Sequence, residues 1–282
     1  MLNNSIGVFL YLILRNDISW KLLSDSEKNI IKKANFKHNN FRDDYASPEK
    51  YGSGRKELGE SWDTFKVNKF FEKEDLKFII LSNALKKNPI SVLEIGPGSG
   101  YYSKMIFDHP SVLNYDFIDI NDKFLEFIAE RIANSNKKNN FSSNTFIGDV
   151  SSFDFQNKKY DLIVFLSSMH HIPDRQNLIH SIINNLSKNG VLIAVDPTHY
   201  LKRILALSYK MITRGYLKRK YYMNRVGLST HHMCTLGEYK KIIRNIHGIE
   251  IESVIFNHNK LINIAPFNKY LSSYIALMLK KL

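Results

Sequence analysis

The stretch 92–100 constrains the fold of this chain more than any other. A short apolar run that suits a β-strand ends at Glu94-Ile95, and glycines follow at every second position, at Gly96, Gly98 and Gly100. Because glycine lacks a Cβ, the backbone there can turn tightly and lie close to a ligand. A strand, a glycine-rich turn and a following helix indicate a nucleotide-type site at the carboxyl end of a parallel strand.

The segments around this turn predict a doubly wound parallel sheet, because strand-like and helical patterns alternate. Strands are predicted at 91–95, 114–120, 144–147, 161–166, 191–195, 250–257 and 261–265. Helices are predicted at 67–87, directly after the glycine turn, at 123–133, from about 178 to a C-cap at Asn189-Gly190, at 236–246 and, as an amphipathic tail, at 269–282.

Two acidic residues follow predicted strands at the edge where the glycine turn lies. Asp119 ends the second strand, 19 residues beyond Gly100, where an α/β nucleotide-binding fold places its ribose-binding acid. Asp149 follows the third strand. Each acid alone has an ordinary alternative as a turn or helix N-cap residue. Their joint order and spacing favour a binding site.

Residues 91–197 resemble the catalytic core of the class I S-adenosylmethionine (SAM) dependent methyltransferases that act on small molecules and lipids. Glu94–Gly100 is similar to their first glycine motif, and Tyr115–Ile120, Phe146–Asp149 and Tyr160–Asp174 match later segments. Leu186–Asp196 resembles their fifth-strand motif, with Asn189 where a second Gly is commoner. The resemblance implies a mainly parallel seven-stranded α/β sheet whose final strand pair includes the antiparallel strand.

The same resemblance suggests how the chain is divided. We expect an N-terminal helical and aromatic extension at 1–66 and a methyltransferase domain at 67–266. A helical lid insertion is expected at 198–234, where this family builds its acceptor cover, and an amphipathic tail at 267–282. Within 41–66, aromatic residues mixed with Gly and Pro suggest either a lid segment or a loop that is pinned to the core.

The resemblance implies SAM as the cofactor. The glycine turn would hold the methionine moiety, Asp119 the ribose hydroxyls, and Asp149 the adenine amine. Ile120 and Val150 would flank the adenine ring. The full expected set of cofactor-binding residues is Glu94, Gly96, Gly98, Gly100, Asp119, Ile120, Asp149, Val150 and Leu166.

Methyl transfer from a sulfonium depends largely on positioning, but an O or N acceptor can also need a base that takes its proton. His170 and His171 follow the fourth predicted strand and are the first candidates, although the corresponding family residue often only packs or hydrogen-bonds. His199 and the pair His231-His232 are lesser candidates. No carboxylate–His spacing predicts a metal site.

The formal net charge of +13 favours an anionic partner. Between Asp196 and Glu238 there is no acidic residue but eight Lys and Arg, which suggests a small-molecule or lipid-like acceptor and peripheral contact with an anionic membrane. The alternative is that these lysines only face water. The uncharged opening run is too short to span a bilayer. With the single Cys234, the composition suggests a cytoplasmic protein; it does not indicate the oligomeric state.

Three other functions would each suit part of this sequence. A NAD-dependent reductase would suit the architecture, but Tyr216–Lys220 is a chance match in a Lys-rich stretch and the glycine spacing disfavours it. A nucleic-acid methyltransferase would suit the charge, yet the segment after the fourth strand lacks the Asn/Asp-Pro-Pro-aromatic motif of its amino-methylating members. A non-catalytic SAM-binding protein stays open, although no motif indicates decay.

Overall fold

The computed structural model describes residues 20–29, 61–65, 75–135, 140–172, 175–198, 235–256 and 274–282. The strands are β1 Ser91–Ile95, β2 Asn114–Asp119, β3 Ser142–Ile147, β4 Tyr160–Leu166, β5 Leu186–Pro197, β6 Ile249–Phe256 and β7 Tyr274–Lys281. The α-helices are α1 Leu76–Leu85, α2 Ser103–Asp108, α3 Asp122–Ala133, α4 Arg175–Ile183 and α5 Leu236–Arg244. Short 3-10 turns occupy Trp62–Thr64, Val150–Ser152 and Met169–His171.

The strands form one sheet in the order β3-β2-β1-β4-β5-β7-β6. Strands β1 to β5 pair in parallel, and β7 is antiparallel to both β5 and β6. The predicted fold class, a mainly parallel seven-stranded doubly wound sheet, is confirmed. The chain order reverses between β1 and β4, and ligands of such sheets bind beyond the carboxyl ends of the strands at that switch point.

Each face of the sheet carries its own hydrophobic core. One core packs α1, α2 and α3 against side chains such as Val92, Phe117 and Val164. The other packs α4 and α5 against side chains such as Ile163 and Leu192. Burial on both faces explains why β4 and β5 read as continuous apolar runs in the sequence.

Side-chain caps fix the first turns of the helices that approach the sheet. The Asn121 side chain accepts a hydrogen bond from the Lys123 amide at 3.0 Å, at the start of α3. Thr235 and Glu238 cap α5 reciprocally, with each side chain accepting from the other residue's amide at 3.2 and 2.8 Å. These bonds satisfy amides that have no partner within the helix, so they define where it begins.

The prediction of a C-terminal helix is wrong over Tyr274–Lys281, which forms β7. This strand lies between β5 and β6, and residues 275–279 are at most 3% exposed. A short apolar run that is buried on both faces cannot be told from a buried helix by periodicity alone. Pairing with β5 and β6 outweighs the helix propensity of the Ala, Leu and Met residues in this segment. The strand predicted at 261–265 lies outside the described residues.

The predicted helix C-cap at Asn189-Gly190 is also wrong. Helix α4 ends at Ile183, and both residues lie within β5, where the pairing with β4 shifts register. Asn189 has a φ of 63°, and a Cβ on Gly190 would lie 2.9 Å from the Ser187 carbonyl oxygen. The Asn in left-handed conformation and the Gly after it therefore mark an irregularity near the start of a strand. Helix ends favour the same residue types, so the sequence alone did not distinguish the two.

Several predicted segments fall largely outside the described residues. Of the expected N-terminal extension, residues 20–29 are described, with helix at 20–21 and 25–29, and so are residues 61–65. The expected insertion at 198–234 is described only at Thr198. Strand β3 begins at Ser142, two residues before the predicted start. Across the described ranges, no helix is long and apolar enough to cross a bilayer.

Candidate cofactor site and histidine cluster

The glycine turn after β1 uses backbone conformations that other residues rarely adopt. Gly96, Gly98 and Gly100 all have positive φ, at 70°, 57° and 76°. A Cβ on Gly96 would lie 2.5 Å from the Ser168 Cβ, and one on Gly100 would lie 2.9 Å from Ile128. The loop after β4 and helix α3 therefore pack closely against the turn, and they leave no room for a side chain at Gly96 or Gly100.

Glu94 lies just before this turn and is almost fully buried, with 2% of its surface exposed. The Tyr115 hydroxyl on β2 donates a hydrogen bond to its carboxylate. Burial raises the pKa of Glu94 to about 7, although the Tyr115 hydrogen bond acts in the opposite direction. The negative charge of Asp119 adds to the rise. This carboxyl therefore stands near its titration point at neutral pH.

Asp119, at the end of β2, meets the glycine turn directly. Its Oδ2 accepts the Gly98 amide at 3.3 Å, and its Oδ1 accepts the Asn121 amide at 3.0 Å. Burial raises the pKa of Asp119 to about 6, and these backbone amides moderate the rise. The carboxylate is thus held by the backbone, with remaining lone pairs on both oxygens.

The end of β3 lies beside Asp119, since the Gly148 amide donates to the Asp119 carbonyl at 3.0 Å. Asp149 caps the following 3-10 turn, and its Oδ1 accepts the Ser151 amide at 2.9 Å. Val150 is buried in the core at 8% exposure, whereas Ile120 is 42% exposed. Asp149 therefore caps a turn, which is the ordinary structural role that its position in the sequence also allowed. At the neighbouring end of β2, the apolar side chain of Ile120 is exposed.

A short segment from before β1 also contacts the glycine turn. The Trp62 amide donates to the Ser99 carbonyl at 3.0 Å, and the indole packs against Phe107 with a centroid distance of 5.1 Å. Phe65 contacts Tyr101 at 5.1 Å between ring centroids. Asp63 forms a bidentate ion pair with Arg131 of α3, at 2.7 to 3.1 Å. At 61–65, the aromatic segment is pinned to the core beside the candidate site.

The two candidate catalytic histidines lie in the 3-10 turn after β4. Their rings are in contact, with centroids 4.1 Å apart and planes tilted by 38°. His170 is buried at 6% exposure, and Leu166, at the end of β4, is 9% exposed. The turn is held against β1, because the Ser168 hydroxyl donates to the Ile95 carbonyl. The structure thus brings the histidines and the glycine turn to the same edge of the sheet. The lesser candidates His199 and His231-His232 lie outside the described residues.

His170 is joined to a buried carboxylate that the sequence did not single out. Asp196, at the carboxyl end of β5, is fully buried, and its Oδ1 lies 3.0 Å from both the amide and the ring Nδ1 of His170. The Tyr239 hydroxyl of α5 donates to Asp196 Oδ2 at 2.7 Å. Burial alone would raise the pKa of Asp196, but His170, Tyr239 and the charge of Arg175 hold it below its ordinary value. Asp196 is therefore ionised.

Part of this cluster carried a signal in the sequence. Asp196 ends an apolar strand, as Asp119 does, and the same rule about acids at strand ends would have found it. Tyr239 lies 43 positions from Asp196 in sequence, and no local pattern marks it or the buried Arg175. Among the described residues, no group of three His, Cys, Asp or Glu could hold a metal ion.

Comparison with known proteins agrees with this geometry. Residues 93–192 match the family described as a methyltransferase domain. The chain carries a class I, SAM-dependent methyltransferase domain. The matched range spans the glycine turn, Asp119, Asp149 and the histidine turn.

The individual relatives have low sequence identity to this chain, and each alignment covers only part of both proteins. Malonyl-[acyl-carrier protein] O-methyltransferase from Acetivibrio thermocellus is 23% identical over 172 residues, which are 60% of this chain and 56% of that protein. Probable polyketide synthase 42 from Dictyostelium discoideum is 30% identical over 137 residues, which are 41% of this chain and 5% of the synthase. The alignments thus span little more than half of the first relative and a small part of the second.

A solved structure supports the fold across more of the chain. Magnesium protoporphyrin IX methyltransferase from Synechocystis PCC 6803, with bound SAH, superposes with a TM-score of 0.55. It is 14% identical, and the match covers 86% of this chain and 99% of that one. The methyltransferase domain therefore has the SAM-dependent fold that the sequence predicted.

Proposed function

We propose that this protein transfers the methyl group of SAM to an O or N atom of a small-molecule or lipid-like acceptor. The observation that carries the proposal is the contact between Asp119 and the Gly98 amide, which joins the ends of β2 and β1 beside the switch point of the sheet. A nucleoside cofactor needs an acid that binds the ribose and a glycine turn whose backbone can lie close to the ligand.

The cofactor would lie across three strand ends. Its methionine moiety would lie against Gly96, Gly98 and Gly100, where no side chain intervenes. Asp119 would accept hydrogen bonds from both ribose hydroxyls, one on each carboxylate oxygen. The adenine ring would lie against the exposed Ile120, with its amine near Asp149.

The remaining cofactor contacts would come from the strands themselves. Glu94 would sit behind the glycine turn, where its carboxylate favours the positive charge of the bound amino acid moiety. Val150 and Leu166 would supply apolar walls. Bound SAM would supply the methyl group: the acceptor atom would form its bond to carbon as the S–CH₃ bond breaks, with the electron pair left on sulfur. Positioning supplies most of the rate, and His170 or His171 would take the acceptor's proton.

A second acceptor class is an acyl group carried on a carrier protein. The support is that one relative is named for malonyl-[acyl-carrier protein] and others are polyketide synthases. The acid-free stretch between Asp196 and Glu238 would suit either an acidic partner or an anionic membrane surface. The magnesium protoporphyrin IX methyltransferase reported above is named for a small-molecule substrate, which belongs to the first class.

Calorimetry with SAM and with its demethylated product SAH tests the cofactor site. Asp119→Ala is expected to weaken binding of both ligands at least tenfold, because two charge-assisted hydrogen bonds are lost. Asp122→Ala is the matched control, since this neighbouring acid is exposed at the first turn of α3. Unchanged affinity in Asp119→Ala would contradict the ribose assignment.

Acceptor classes can be separated with SAM labelled on its methyl group. Small-metabolite, lipid and acyl-carrier-protein fractions are incubated with the protein, and the labelled product is identified. Sedimentation with anionic and neutral vesicles at low salt tests the membrane contact separately. Equal sedimentation with both vesicle types would rule out a role for lipid charge.

A further inference from the structure

The cluster around Asp196 ties together four elements at the carboxyl edge of the sheet. Asp196 ends β5, His170 belongs to the turn after β4, Arg175 begins α4, and Tyr239 lies in α5. All four residues are at most 6% exposed. The hydroxyl of Tyr239 also lies 3.6 Å from the sulfur of Met169, which neighbours His170. The cluster therefore surrounds the histidine turn on its buried side.

The hydrogen bonds of Asp196 determine the protonation pattern of the His170 ring. An ionised carboxylate can only accept hydrogen bonds. Since Nδ1 lies 3.0 Å from Asp196 Oδ1, that nitrogen must carry a proton. In the neutral ring the other nitrogen, Nε2, is then the acceptor. Asp196 thus selects one of the two tautomers of His170.

Core stability is a poor explanation for this arrangement. Burying an ionised carboxylate beside an arginine is costly, and apolar residues of similar volume often serve a core equally well. The cluster also lies at the end of the sheet where this fold binds its ligands, next to the loop that contacts the glycine turn. Both points favour a role in chemistry.

We propose that Asp196 is a positioning residue, which holds His170 as the Nδ1–H tautomer so that Nε2 can accept the acceptor's proton during methyl transfer. This inference rests on the proposed function. In the step, the acceptor's bond to carbon forms as the S–CH₃ bond breaks, the released proton moves to Nε2, and SAH leaves as a neutral sulfide. Asp196 stays ionised and stabilises the imidazolium, and Tyr239 holds its second oxygen.

The tautomer can be measured without any activity. Nitrogen–proton correlation spectra of the histidine side chains, recorded at pH 8 and assigned with His170→Gln, distinguish the two ring nitrogens. The expected pattern for His170 is a protonated Nδ1 and an unprotonated Nε2. A protonated Nε2 with an unprotonated Nδ1 would overturn the proposal, whatever the activity of the protein.

The kinetic test uses Asp196→Asn and a matched control. Asp116→Asn removes an equally buried carboxylate that also accepts a tyrosine hydroxyl, from Tyr160 at 2.8 Å, but lies toward the other end of the sheet. Asp196→Asn is expected to lower kcat by about 100-fold, the lower end of what a general base contributes, with SAM affinity within twofold of wild type. Asp116→Asn is expected to retain kcat.

The outcomes separate this inference from the proposed function. Wild-type protein that neither binds SAM nor transfers methyl refutes the function, while the tautomer measurement still stands alone. Active wild type with an Asp196→Asn kcat equal to that of Asp116→Asn refutes the positioning role. Should Asp196→Asn fail to fold, Tyr239→Phe replaces it, because it removes one hydrogen bond from the carboxylate and keeps the charge. A lowered kcat is expected in Tyr239→Phe, and an unchanged kcat would refute the role of this network in methyl transfer.

Discussion

The buried carboxyl of Glu94 should make the stability of this protein depend on pH in an unusual direction. Its pKa is raised from 4.5 to about 7, mainly by burial, so the folded state binds the proton more tightly than the unfolded state. Between those two values the unfolded chain ionises first. The free energy of unfolding therefore falls as pH rises through this window and levels off above about pH 7.

Glu94→Gln isolates this effect, because glutamine is similar in shape and does not ionise. With 1.36 kcal/mol for each pKa unit, the stability difference between variant and wild type should change by about 2 kcal/mol from pH 5 to pH 8, in favour of the variant. The cost of fitting a buried amide beside Tyr115 is the same at both pH values and cancels. Chemical denaturation of the ligand-free protein at the two pH values measures the change.

Glu130→Gln is the matched control, since that glutamate has a side chain 69% exposed on α3. Its stability difference from wild type should stay constant across the same range. A Glu94→Gln difference that is equally constant from pH 5 to pH 8 would refute the argument that burial governs this carboxyl.

Four further substitutions test packing and ion pairing in the described part of the chain. Gly248→Ala should lower the free energy of unfolding by about 1 kcal/mol from backbone strain alone, because Gly248 has a φ of 74° and open space around it. Gly100→Ala should cost about 1–3 kcal/mol more, because Gly100 has a similar φ of 76° but lies against Ile128. Equal losses in urea denaturation would contradict this close approach. Leu277→Ala should lower the free energy of unfolding by about 2–5 kcal/mol because β7 is buried, and a shift in denaturation midpoint too small for that cost would contradict the burial of this strand. Asp63→Asn should lower the free energy of unfolding by less than about 1 kcal/mol, since the Asp63 side chain is 53% exposed. A larger loss in thermal unfolding would contradict this small contribution.

The donor half of the site was predictable because its parts follow one rule. Acids and glycines at the carboxyl ends of successive strands converge in any parallel sheet, so Gly98 and Asp119 meet although 21 residues separate them. The alternation of strands and helices was equally informative, and it placed β1, β2 and β4 within one residue, whereas β5 begins at Leu186, five residues before its predicted start.

The errors arose where tertiary contacts decide between equal local patterns. Residues 274–281 suit a helix or a buried strand, and only insertion between β5 and β6 selects the strand. Asn189-Gly190 suits a helix end or a strand irregularity for the same backbone reason. The Asp196–Tyr239 contact joins residues 43 positions apart across the 199–234 segment, and no sequence periodicity reports such a contact.

A crystal structure with SAH tests the central claim most directly. We expect SAH along the carboxyl ends of β1, β2 and β3, with both ribose hydroxyls within hydrogen-bond distance of the Asp119 carboxylate and the amino acid moiety against Gly96–Gly100. Crystals grown with saturating SAH that leave this edge empty, or that hold SAH with its ribose away from Asp119, would contradict it.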